Sequence, residues 1–68
     1  MVPYPGMPVQ VLYLGATESA VVEAVEDDGR RVTAGGARYT LRPVNGRFVR
    51  EGEPSYGTRL AFGGGERP

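Results

Sequence analysis

Glycine and proline recur so often along this chain that no long regular element fits between them. Eleven glycines and six prolines make up a quarter of the 68 residues. They cut the chain into short segments and disfavour long helices, so strands and turns are the expected elements. A chain of this length hides only about 60% of the surface its unfolded form exposes, close to the lower limit for independent folding. Cysteine and histidine are both absent, so neither disulfides nor a zinc-type site can reinforce it.

The ends read differently from the middle. Residues 1–8 contain Pro3, Pro5, Gly6 and Pro8 and are expected to form an extended arm that either wraps the domain or reaches a partner. Residues 63–68 hold three glycines and no apolar anchor, which reads as a flexible tail. Residues 9–62 are one domain. Within it, residues 9–14 (Val-Gln-Val-Leu-Tyr-Leu) are apolar on nearly both faces, as in a central strand. Residues 19–26 are ambiguous. Ala20, Val21, Ala24 and Val25 fall at helical spacing behind Thr17, but three valines, and acids at what would be the negative end of the helix dipole, favour a strand.

Gly35-Gly36 reads as a two-residue hairpin turn that sets Ala34 opposite Ala37, Thr33 opposite Arg38 and Val32 opposite Tyr39. Alternation then puts Val32, Ala34, Ala37, Tyr39 and Leu41 on one face and Arg31, Thr33, Arg38, Thr40 and Arg42 on the other. For the preceding turn, a three-residue loop with Gly29 left-handed sets Val22 opposite Ala34, Ala24 opposite Val32 and Glu26 opposite Arg30, leaving Glu23 outside. Asn45-Gly46 marks a third turn. A loop over residues 52–57, with Pro54 at the second position of a tight or 3₁₀ turn, leads to a last strand. Five or six short strands that must bury Leu12, Tyr39, Leu41, Phe48, Leu60 and Phe62 have to curl on themselves, so the expected fold is all-β, a small antiparallel barrel. An unpaired edge strand would be the natural place for a second copy or a partner to add itself.

The order of a Val11-Leu12-Tyr13 first strand, a meander, and Pro54-Ser55-Tyr56 in a turn before the last strand resembles the layout of SH3-like barrels. The resemblance covers architecture across residues 9–62. The tryptophan of the proline-peptide groove has no counterpart here, so the resemblance implies a fold and no ligand or site.

Catalysis has little to work with. Without His, Cys or Lys, a hydroxyl nucleophile lacks its usual base, and Glu26, Asp27 and Asp28 sit at a hairpin tip where solvent keeps carboxylates ionised. That trio lacks the alternating oxygen ligands of a calcium loop, and Gly63 to Gly65 are followed by no Lys-Ser/Thr pair, so neither a metal, a cofactor nor a nucleotide is implied. No membrane span or secretory leader is legible, and a cytoplasmic protein is the expectation. The absence of Lys, Ile and Trp beside abundant Gly, Ala, Val, Pro and Arg fits a GC-rich coding sequence.

Charge order is the feature that stands out. Residues 1–29 carry five acids and no arginine, and residues 30–50 carry six arginines and no acid. A net charge of zero therefore hides two opposed blocks. The blocks either pair internally, as Glu26 with Arg30, or Glu51 and Glu53 with Arg47 and Arg50, or they form a binding face in which Arg31, Arg38 and Arg42 project between threonines. Tyr13, Tyr39, Phe48 and Phe62 fall within strands and are core candidates. Tyr4 and Tyr56 lie in proline and glycine segments and either plug the barrel or are presented to a partner. The functional expectation is a non-catalytic interaction module for a protein partner or a second copy, with Arg31, Arg38, Arg42, Arg47, Arg50, Tyr4 and Tyr56 as candidate binding residues. A barrel that binds nucleic acid or phosphate through its arginine face is the alternative, and a structural subunit of a larger assembly a third.

Overall fold

Tight turns with left-handed residues set the architecture. The computed structural model describes residues 3–62. Six strands follow one another: β1 (Pro8–Tyr13), β2 (Ala16–Glu26), β3 (Arg31–Ala34), β4 (Ala37–Arg42), β5 (Arg47–Arg50) and β6 (Arg59–Phe62). Each is antiparallel to the next, and β6 returns to β1, closing a barrel. The expected all-β antiparallel barrel is what forms, and residues 19–26 are extended within β2. In a closed barrel every strand has two neighbours, which replaces the unpaired edge strand the sequence suggested.

The Gly35-Gly36 hairpin has the anticipated register, Val32 opposite Tyr39 and Thr33 opposite Arg38. Both glycines have positive φ, 59° and 81°, as a type I′ turn requires. The β2–β3 connection departs from expectation. Asp27 and Asp28 join Gly29 in the left-handed region, at φ 55° and 57°, which aspartate tolerates better than most side chains. Residues 27–30 thus form the loop, and Val25 rather than Ala24 faces Val32, with Glu26 facing Arg31 rather than Arg30. A bulge between Val22 and Ala24 absorbs the extra residue, so Val22 still meets Ala34. Glu23, at the bulge, points outward and accepts a hydrogen bond from the Gly36 amide at 3.1 Å.

Of the two alternatives for the N-terminal arm, the described residues 3–7 fit the first, folding back against β2. Met7 N donates to Tyr4 O at 3.0 Å, with Pro5 and then Gly6 (φ 92°) at the central positions, a type II turn. Gly6 N donates to Val22 O and Val22 N to Met7 O, at 2.8 and 2.9 Å. Pro3 and Met7 are buried. The expected tail at 63–68 and the first two residues of the arm lie outside the described residues.

The core is Met7, Val9, Val22, Val32, Ala34, Tyr39 and Leu60, with Val11, Val25, Phe48 and Phe62 packed against it. Phe48 and Phe62 meet edge to face, with centroids 5.1 Å apart. Burial pushes the Tyr39 hydroxyl above its usual pKa, against the lowering influence of Arg50. Three residues expected inside are not. Leu41 points inward but lies at a mouth of the barrel, beside a hollow it shares with Phe48 and Phe62, and is 36% exposed. Tyr13 sits where β1 runs past its pairing with β6, which ends at Leu12, and is 53% exposed. Leu12 lies opposite Thr17 and Arg59 on the outer face, only half-buried.

Candidate functional site

The arginine block folds onto its own loop. On the outer face of β3 and β4, Arg31 lies opposite Thr40 and Thr33 opposite Arg38, the arrangement that alternation predicts. The segment 51–57 then crosses this face. Glu51 lies between two arginines, its Oε2 3.4 Å from Arg31 Nε and its Oε1 3.7 Å from Arg38 Nη1. Arg31 Nε is buried without a hydrogen bond, so its attraction to Glu51 is coulombic and not directional. Arg42 is tied more tightly. Its Nη2 donates to the carbonyls of Arg50 (3.1 Å) and Glu53 (2.8 Å), and its Nε to Thr40 Oγ1 (3.3 Å). Val49 shares the outer face with its direct neighbours Thr40 and Arg59 yet is fully buried, so the outer face is covered at this point.

Glu53 secures the far end of the segment. Its Oε1 accepts a hydrogen bond from Thr58 N at 2.7 Å, and this bond, with Arg50 and Arg42 nearby, holds the carboxyl below its usual range. Gly57 is required there, because any β-carbon would collide with the Glu53 side chain. Gly57 N also donates to Pro54 O at 2.8 Å. Pro54 therefore opens this turn instead of occupying its second position.

Beyond the pinned segment the surface opens. A groove of about 440 Å³ runs over the outer face between the β1–β2 turn and the segment 55–57. Its floor is Leu12 and Arg59, directly opposed across β1 and β6. One wall is Leu14 and Gly15, and the other is Ser55 and Tyr56 together with Asn45 and Arg47. Asn45 stiffens the second wall, since its Nδ2 donates to Ser55 O and its Oδ1 accepts from Arg47 N, both at 3.0 Å. Leu14 and Tyr56 are each 87% exposed. The lining contains two arginines and no carboxylate.

The seven candidate binding residues are thus divided. Arg31, Arg38 and Arg42 share one face and are engaged by residues 51–53. Arg50 lies opposite Tyr39, beside Glu18 and Glu53 at the rim. Tyr4 is exposed in the N-terminal turn and does not line the groove. Arg47 and Tyr56 do, together with Leu12, Tyr13, Leu14 and Arg59, which were not among the candidates. Of the ion pairs anticipated, the described residues show none between Glu26 and Arg30, and Glu51 folds back on Arg31 and Arg38 rather than on Arg47 or Arg50. No helix among the described residues is long and apolar enough to cross a membrane. In comparisons with known proteins, no family model matches this sequence, and neither does any curated protein or solved structure.

Proposed function

We propose that this chain is a non-catalytic interaction module that holds an extended segment of a protein partner in the groove between its β1–β2 turn and residues 55–57. The observation that carries the reading is Leu14. The two-residue turn puts it at φ 46° and Gly15 at φ 82°, a type I′ geometry that selects Asn, Asp or Gly. A leucine in the left-handed region is sterically strained, and this one also gives nearly its whole side chain to water. Folding gains from neither property, whereas a contact surface gains from a large apolar group projected over a groove. Tyr56 lines the same groove with equal exposure, which makes an apolar pair of jaws beside two arginines, the mix of anchors and rim found where proteins meet.

The test is amide NMR titration of the labelled protein with pooled unstructured nonapeptides. Shifts are expected to cluster on residues 12–17, 45–47 and 55–59. Shifts that cluster elsewhere, or that fail to appear at millimolar peptide, sink the reading.

A second reading has one observation in its favour. Exposed tyrosines beside arginines are also the elements on which single-stranded nucleic acids stack and neutralise phosphates. Two groove arginines in a chain of zero net charge supply little of the long-range attraction such ligands draw on.

A further inference from the structure

Building on the groove reading, we infer that the segment it accepts is acidic, with carboxylates on alternate residues flanked by an apolar side chain. The starting point is which arginines still have unmet charge. Arg31 and Arg38 share Glu51, and Arg42 donates to two carbonyls. Arg47 and Arg59, by contrast, form no ion pair among the described residues, and no carboxylate lines the groove they share. A groove with two cations and no anion lowers the energy of an anion that enters it and raises that of a cation, so it discriminates by sign.

The spacing points to an extended chain. Arg59 pairs with Val49 across β5 and β6, and Arg47 is two residues before Val49 on the same face. Arg47 and Arg59 are therefore diagonal neighbours, for which Cα atoms stand roughly 7–8 Å apart. An extended peptide advances about 3.3 Å per residue and points alternate side chains the same way, so residues i and i+2 are roughly 6.6 Å apart on one face. Two carboxylates in that relation meet the two guanidinium groups together, and a neighbouring apolar residue then falls between Leu14 and Tyr56. Guanidinium binds phosphate as readily as carboxylate. The apolar jaws favour a peptide, and nucleic acid becomes an outcome of the test.

The experiment compares three probes on the intact protein: the peptide Leu-Glu-Thr-Glu-Leu, its isostere Leu-Gln-Thr-Gln-Leu, and a ten-residue oligothymidylate. The acidic peptide is expected to bind about tenfold tighter than the amide one, the weight of two charge-assisted contacts at a solvent-open site. In the double variant Arg47→Gln, Arg59→Gln the preference should vanish, the acidic and the amide peptide then binding that variant equally. An unchanged thermal midpoint shows that the variant is folded. Equal binding of both peptides to the parent protein, with shifts in the groove, overturns the acidic preference and leaves the groove reading standing. Binding of neither peptide overturns the groove reading itself. Oligothymidylate binding tighter than the acidic peptide, with the same dependence on Arg47 and Arg59, overturns both in favour of a nucleic-acid site. Retention of the acidic preference by the double variant places the anion on Arg31 and Arg38 and overturns the assignment.

Discussion

Two arginine-bearing regions share the outer face of this barrel, and they behave in opposite ways. On β3 and β4 the arginines are dense, yet Glu51 and the carbonyls of residues 50 and 53 engage them. Across β5 and β6, Arg47 and Arg59 are unpaired among the described residues and border an open groove. Charge density along a chain thus measures how many cations there are, while the topology decides which of them remain available. The dense cluster reads as a clasp that fastens a loop, and the two unpaired arginines as a surface.

The largest expected effect separates the clasp from the surface. Arg42→Ala removes the charged hydrogen bonds to the carbonyls of Arg50 and Glu53, and should cost about 2 kcal/mol in urea unfolding. Arg59→Ala, on the groove floor, should stay within about 0.5 kcal/mol. If the two losses are equal, the contrast between the regions fails.

The next effect has the opposite sign. Leu14→Asn relieves a left-handed leucine and should stabilise the domain by about 1 kcal/mol, seen as a higher thermal midpoint, while peptide shifts in the groove weaken. A destabilised Leu14→Asn variant would show that the leucine serves the fold.

Smaller still is Glu51→Gln. Its two ion pairs are partly exposed, so their loss should cost less than about 1 kcal/mol. The variant frees Arg31 and Arg38, and the acidic peptide should then shift residues on β3 and β4 that it leaves untouched in the parent.

The smallest effect is read from a slope with pH. Because the folded protein holds the Glu53 carboxyl below its unfolded pKa, this bond's contribution is fully present above the unfolded value, about 4.3. It is lost as pH falls through the lower folded value. Acid unfolding profiles of the parent and Glu53→Gln should therefore converge at low pH and separate above pH 5, with the parent the more stable. Parallel profiles would mean that the carboxylate does not latch the loop.

Local chemistry made much of this legible, and long-range geometry hid the rest. Gly35-Gly36 between alternating strands permits one short turn and one register, so Val32 and Tyr39 pair as read. The three-residue loop read for the preceding turn misses the left-handed backbone of Asp27 and Asp28 and the bulge at Glu23, which are settled only when β2 meets two partners. Tyr13 and Leu14 continue an apolar strand in sequence, but burial depends on how far β1 outruns β6, a stagger that no local pattern encodes. Glu51 reaches Arg31 because β5 brings it there, 20 positions along the chain. Arg59 stands alone in β6, outside the arginine block of residues 30–50, so no pattern in the sequence marks it.

The meander has a kinetic consequence. Five of the six strand pairings join sequence neighbours, and only the return of β6 to β1, where Val9 meets Phe62, spans nearly the whole domain. Closing short loops costs little chain entropy, so the successive hairpins can form independently, while the final pairing draws together distant ends and carries the largest closure term. Folding speed should accordingly be governed by that one ladder. Trimming side chains in β1 or β6 should therefore slow folding.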